Sequence, residues 1–501
     1  MLDGYKGSSG WLSGWLPEAA LIDPDGVQAC NVTISYTHPG HDDLVSVQVW
    51  LPHAAKFNKR FVGVGGGSWS AAEIVTDLRS ALVSQGYAVA TTNAGYDHDV
   101  FGTADHWLMK SPGNIDYPLI VNFGHRALHD MAVIVKHIIR NAYGSGPEFS
   151  YWQGCSTGGR QGLTIASKYP NDYDGILTTC PAVNFAALLV ALYWPQFVMN
   201  QQEVYPRACE FEALRAGASQ SCDELDGVKD GVIARPDLCT FDPMTLAGTS
   251  FDCEGHSAVI SEDTVNVFKA IMEGPVDPEG NRLFPGFMPG TALVGLMATA
   301  NTLCNNGHCS RGLPFTVSDD WIRLMLKKDP SFDPTKMSHA DYAQLFRESV
   351  TEWDAMFSSN NPDMDQFRKL GKKMVSWHSV NDEAVQVLAM RQFYERVVAR
   401  DQAHNITTQD YYRYFEVPGA THCSAPAGVP YPLHGLKTLQ SWVEDGAVPE
   451  ELPTVVLGQQ PNAEQVHRPI CAYPKAALKT ETGFSCSHQT NEPEGHIKDE
   501  L

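Results

Sequence analysis

The chain has 501 residues, of which 43% are hydrophobic, 10% aromatic and 19% charged, with a formal net charge of −22. This length exceeds one ordinary core and the composition is globular, which excludes a disordered chain and leads us to expect two or three substructures. The 58 acidic residues outnumber the 36 basic ones along the whole sequence, so no nucleic acid partner is expected; no apolar run approaches the roughly 18 residues of a spanning helix, so no membrane insertion is expected either.

In chain order, VSVQVWLP (45–52) alternates like a strand, RFVGVGGG (60–67) is a short apolar run ending in glycines, and YAVATTNAG (87–95) reads as a buried strand. GHRALHDMAVIVKHIIRNAYG (124–144) carries apolar residues at 127, 131, 134, 138 and 139, a helical stripe. EFSYWQG (148–154), GGRQGLTIASKYP (158–170) and GILTTCPA (175–182) then read as strand, helix and strand. Strands alternating with helices predict a parallel α/β sheet. After about Trp194 the pattern breaks. Residues 195–365 are richer in cysteine, Gly-Asp turns and proline, with amphipathic helices at EDTVNVFKAIMEG (262–274) and SDDWIRLMLKK (318–328). Strand-like runs return at KKMVSWHS (372–379) and YYRYFEV (411–417). The expected organisation is one α/β domain, 1–194 and 366–501, interrupted by an insertion at 195–365.

Gly154-Cys155-Ser156-Thr157-Gly158 fits G-x-S-x-G between a strand and a helix, the setting in which a sharp turn exposes a serine hydroxyl. The bland alternative is a glycine-rich strand–helix turn. A serine needs a base, and the base an orienting carboxylate, in the order Ser…Asp…His. Asp382 lies in a loop after one downstream strand and His422 in a loop after the next, where a doubly wound sheet places catalytic loops. Composition alone leaves the neighbours His378 and Glu383 as alternatives. For the oxyanion, the Thr157 amide and the Gly65-Gly66-Gly67 loop are the expected donors, through Gly66 and Gly67. The rival reading, a dinucleotide fingerprint, fails because Ser68 stands where the last glycine belongs.

Twelve cysteines without a CxxC pair disfavour zinc ribbons and point to disulfides in an oxidising compartment. Cys155 precedes Ser156 and Cys423 follows His422, so a Cys155–Cys423 bridge would draw nucleophile and base together. Two free thiols, or Cys155 as nucleophile, are the alternatives. Proximity along the chain suggests Cys209–Cys222, Cys239–Cys253 and Cys304–Cys309. Sequons at Asn31 and Asn405 fit secretion. The chain ends in Lys498-Asp499-Glu500-Leu501, the KDEL retrieval signal, which implies an endoplasmic reticulum lumenal location and the retrieval receptor as a partner. The first 22 residues lack a basic n-region and are broken by Ser13, Gly14 and Pro17, so the expectation is a leader removed or mispredicted. In CDELDGVKDGV, Asp223, Asp226 and Asp230 lie beside glycines, a hard-oxygen set that suits Ca²⁺, with a solvated acidic turn as the default for an isolated run.

GCSTGGRQG, the ND at 381–382 and the THC at 421–423 resemble the CS-D-HC motif of the tannase and feruloyl esterase family. The likeness extends to YPNDYDGI, CDELDGVKDGVI and RPICAYP and covers about residues 55–490. The resemblance implies an α/β-hydrolase fold with a large inserted lid and a triad of Ser156, Asp382 and His422. It implies a serine carboxylic-ester hydrolase acting on phenolic acid-type esters, with no organic cofactor. It also implies a structural calcium in the lid, with the carbonyls of Val228 and Val232 joining the carboxylates, and a Cys471–Cys486 disulfide, leaving Cys30 and Cys180 over. Departures from the family pattern are Ser379 for a glycine, SAPAG after His-Cys, TTCPA where small residues are usual, and the missing N-terminal disulfides. The rival functions are a biosynthetic acyltransferase, lactonase or cyclase on the same scaffold, and a non-catalytic lumenal binding protein.

Overall fold

The computed structural model describes residues 29–73, 76–97, 102–357, 359–456, 468–481 and 483–488. The KDEL tail and the leader-like N-terminal stretch lie outside them.

Eight strands form the central sheet: β1 (Ala29–Tyr36), β2 (Val45–Pro52), β3 (Arg60–Val64), β4 (Ala88–Thr92), β5 (Phe149–Cys155), β6 (Gly175–Thr179), β7 (Lys373–Ser379) and β8 (Tyr412–Val417). Their order is β1-β2-β4-β3-β5-β6-β7-β8. β2 runs antiparallel to both β1 and β4, and every pairing from β4 to β8 is parallel. In β2 the alternation is plain: Val45, Val47, Val49 and Leu51 are buried while Ser46, Gln48 and Trp50 are half-buried. The parallel strands bury both faces. Phe61/Val62, Tyr151/Trp152, Ile176/Leu177 and Met374/Val375 each send one side chain to either core. The edge strand β1 lies outside the strands read from the sequence, and its residues are at most half-buried.

Helix α1 (Ala127–Tyr143) follows a π-helical turn over Asn122–Arg126. Its buried face runs through Ala127, Leu128, Met131, Ala132, Val135 and Ile139; Ile134 and Ile138 are half-buried, so the stripe is rotated from the expected one. α2 (Thr157–Lys168) starts directly after the elbow and is buried along nearly its whole length. Between β6 and β7 the chain carries α3 (Phe185–Ala191), which precedes the expected insertion at 195–365, and within that stretch α4 (Ala208–Cys222), α5 (Glu262–Glu273) and α6 (His339–Phe357). Phe185, Trp321 and Tyr342 from this β6–β7 segment join the core on one face of the sheet. Arg160 of α2 is fully buried here. It donates to the Phe123 and Gly124 carbonyls of the π turn and lies over Phe123, Phe185 and Phe357.

The disulfides among the described residues are Cys155–Cys423, Cys209–Cys253, Cys222–Cys239, Cys304–Cys309 and Cys471–Cys486. The expected Cys209–Cys222 and Cys239–Cys253 pairs are therefore wrong. Cys209 and Cys222 lie near opposite ends of α4, and thirteen helical steps put them about 20 Å apart, far beyond disulfide reach. Cys30 is free and exposed, and Cys180 is free and buried. Asn31 and Asn405 are both exposed.

Candidate active site

Ser156, Asp382 and His422 stand in the loops that follow the C-terminal ends of β5, β7 and β8, on one edge of the sheet. Ser156 has φ 59° and ψ −120°, a backbone state that a non-glycine residue holds only when its surroundings enforce it. Those surroundings are visible. The Ser156 N–H donates to Thr179 O at 3.0 Å, and its carbonyl accepts from Arg160 and Ala182 at 2.9 and 3.1 Å. The glycines are required by contact: a Cβ on Gly154 would lie 2.4 Å from the Gly158 carbonyl carbon.

The glycine-rich loop after β3 is tied to this elbow by two bonds. The Gly158 N–H donates to Gly66 O at 2.9 Å, and the Thr157 hydroxyl to Ser68 O at 2.7 Å. A Cβ on Gly65 would come within 2.6 Å of Gly158 Cα, so only glycine lets the two segments meet. The Gly66 N–H, expected to face an oxyanion, instead donates to Gln161 Oε1 at 3.0 Å. Among the described residues no hydrogen bond is made by the N–H groups of Thr157 and Gly67. Of the two expected glycine donors, only the Gly67 N–H is without such a partner.

His422 is buried, and its Nδ1–H donates to both Asp382 oxygens at 2.9 Å. Asp382 Oδ1 also accepts the Ala384 and Val385 N–H groups at 2.9 and 2.7 Å. His378 Nε2 lies 3.4 Å from Asp382 Oδ2 and 2.9 Å from Val385 O. Burial opposes ionisation of Asp382, but the charges and hydrogen bonds of His422 and His378 outweigh it and hold the carboxyl well below its ordinary range. Burial likewise disfavours the His422 imidazolium, yet Asp382, with help from Glu383, raises that ring above its ordinary 6.5. The neighbours left open by composition thus have defined places. His378 backs the carboxylate, and Glu383 Oε2 accepts the His422 backbone N–H at 2.9 Å.

The Cys155–Cys423 bridge, with Cα atoms 6.3 Å apart, links the residue before Ser156 to the residue after His422. The Cys180 sulfur lies within 4.8 Å of both bridged sulfurs and 3.3 Å from the Ser379 hydroxyl. Burial, followed by the Asp382 charge, pushes the Cys180 thiol far up, which keeps it protonated beside the bridge. This third sulfur was not foreseen; the adjacency of the Cys155 and Cys180 strands was its one available signal.

In the acidic loop of the insertion each of the three carboxylates accepts backbone N–H groups. Asp223 accepts the Asp230 and Gly231 N–H groups, Asp226 that of Val228, and Asp230 that of Val232. Arg468 donates to Asp226 and Asp230 at 2.7 and 3.0 Å, and lies over Phe484 of the C-terminal hairpin. One guanidinium leaves this trio two negative charges in excess, and burial pushes the Asp230 carboxyl up. Among the described residues no hydrogen bond reaches the Val228 and Val232 carbonyls. Carboxylate and carbonyl oxygens are the ligand type that hard divalent cations take.

The chain resembles known proteins along nearly its whole length. The family model for tannase and feruloyl esterase matches residues 30–491. A probable feruloyl esterase from Arthroderma benhamiae is 37% identical over 449 residues, spanning 89% of this chain and 82% of the relative. The structure of a tannin acyl hydrolase from Aspergillus niger superposes with a TM-score of 0.84 at 26% identity, over 92% of this chain and 86% of the other. Feruloyl esterase B from Aspergillus oryzae shares the fold, with a TM-score of 0.76 at 23% identity over 92% and 90% of the two chains. Among the described residues no helix is long and apolar enough to cross a membrane. The chain belongs to the tannase and feruloyl esterase family and is a carboxylic ester hydrolase with a mixed α/β fold.

Proposed function

We propose that this hydrolase cleaves esters of phenolic acids by two-step acyl transfer at Ser156. The observation that carries the reading is the bridge between Cys155 and Cys423, which ties a strained serine elbow to a histidine already bound to a buried carboxylate. His422 takes the Ser156 proton as the oxygen attacks the ester carbonyl, and Asp382 stabilises the imidazolium that results. The N–H groups of Thr157 and Gly67 stabilise the oxyanion. The same imidazolium returns its proton to the departing alcohol. Water, deprotonated by His422, then releases the acid and restores the serine.

The phenolic acyl group is inferred from relatives named feruloyl esterase and tannase. In the insertion, Asp223, Asp226 and Asp230 with the carbonyls of Val228 and Val232 would hold Ca²⁺, which supplies positive charge that joins the acidic loop to the rest of the lid. N-glycans on the exposed Asn31 and Asn405, and retrieval to the endoplasmic reticulum lumen through the KDEL tail, complete the reading. The test is Ser156→Ala assayed on methyl ferulate, a gallate ester and an alkyl ester of similar size. Activity should vanish on all three, with wild type preferring the phenolic substrates. Full activity in the variant rejects the serine mechanism, and an alkyl preference in wild type rejects the phenolic assignment.

A further inference from the structure

The residues Asn381, Asp382 and Glu383 form one continuous segment, and each grips the histidine loop at a different place. The Asn381 N–H donates to Ala420 O at 3.2 Å, and its side-chain Oδ1 accepts the Gly419 N–H at 3.1 Å. Asp382 accepts from the His422 ring, and Glu383 accepts the His422 backbone N–H. The Asn381 amide also donates to Pro289 O at 2.9 Å, so the same segment reaches the insertion. His422 is thus held at both ends by adjacent carboxylates, its ring by one and its main chain by the next.

We propose that Glu383 is a positioning residue for the reaction: it fixes the main chain of His422 while adding a second negative charge beside the ring that Asp382 already holds. This rests on His422 acting as the base, as argued above. A carboxylate in this place has two separable effects. Its oxygen fixes the loop, which a neutral amide can also do. Its charge favours the imidazolium, which a neutral amide cannot. The other titratable groups packed here are Asp382, His378 and the Cys180 thiol, and the first of these is the larger influence on the ring. Burial and the Asp382 charge push the Glu383 carboxyl upward, as expected of two carboxylates sharing one histidine.

The separation gives the experiment. Glu383→Gln keeps an acceptor for the His422 N–H and removes the charge; Glu383→Ala removes both. For Glu383→Gln the acid limb of the kcat/KM profile should move to lower pH, by about one unit. The loss in plateau kcat should be smaller than for Glu383→Ala, which should show both a shifted limb and a kcat lowered about tenfold or more. An NMR titration of the His422 ring reads the same displacement if a variant turns over too slowly to assay. An unmoved limb and an unmoved ring titration in Glu383→Gln overturn the proposal. So does a Glu383→Ala protein that loses thermal stability but keeps the wild-type profile. Ser156→Ala, inactive in either case, separates failure of this inference from failure of the serine mechanism.

Discussion

Two acidic centres of the molecule, the Asp382 loop and the 223–232 loop, balance their charge in opposite ways. Asp382 is buried among fixed donors: two backbone N–H groups, the His422 ring and His378. Its charge is compensated within the fold, so the site is ready before substrate arrives. The 223–232 loop holds three carboxylates, two of which, Asp226 and Asp230, meet one guanidinium, and Arg468 comes from beyond β8 in sequence. In the proposed mechanism the first centre orients a base, and in the proposed calcium site the second would take up a cation. A carboxylate that must act on one proton is better fixed by the protein alone, whereas a carboxylate cluster that joins segments gains from a divalent ion.

The largest effect should come from breaking the first centre. Asp382→Asn leaves the loop geometry nearly intact but offers His422 a donor in place of an acceptor, which should lower kcat by about 10⁴-fold in steady-state assays. Cutting the bridge comes next. Cys155→Ser with Cys423→Ser opens a loop of 268 residues, and loop-entropy arithmetic sets the loss at up to about 5.6 kcal/mol in denaturant titrations. Mild reductant should abolish activity before circular dichroism reports unfolding, since this bridge spans the site itself. A loss of activity only in step with unfolding would mean the bridge serves the fold alone.

The second centre should respond to ions where the first does not. Chelating divalent metal should lower the melting temperature while leaving the kcat of protein that is still folded unchanged. In chelator, Arg468→Gln should cost about 3 kcal/mol more, since Asp226 then keeps an unpaired buried charge. An unchanged melting temperature on chelation would remove the contrast between the two centres. The smallest effect concerns the spare thiols. Exposed Cys30 should be alkylated by iodoacetamide in the native protein and Cys180 should resist until unfolding, as peptide mass mapping would show.

How far the sequence foretold this depends on the range of each signal. The elbow was legible because a strand end, a glycine on each side of the motif and a helix start are all local. Asp382 and His422 were legible because topology places them at successive strand ends. The bridge between Cys155 and Cys423 could be read because its cysteines adjoin two residues already singled out. The lid cysteines had no such anchor, and nearness in sequence misled: α4 separates Cys209 from Cys222, and Cys253 folds back to take the partner's place. The Gly66 amide is not available to an oxyanion because the side chain of Gln161, a residue of α2 some 95 positions further on, occupies it. The edge strand β1 lies outside the strands read from the sequence although half-buried Val32, Ile34 and Tyr36 alternate with exposed Thr33 and Ser35, as one-sided packing requires. Glu383 was visible as a neighbour of Asp382, but its grip on the His422 main chain depends on a turn that no periodicity reports.

The central claim is that Ser156 carries the acyl group, and trapping that intermediate tests it most directly. The protein is mixed with an excess of an activated ferulate ester, quenched in acid within milliseconds, and digested for mass spectrometry. A feruloyl mass increment on the peptide bearing Ser156, absent in Ser156→Ala and failing to accumulate at that rate in His422→Ala, is the expected result. An increment on another residue, or turnover with the same burst in Ser156→Ala, would contradict the account.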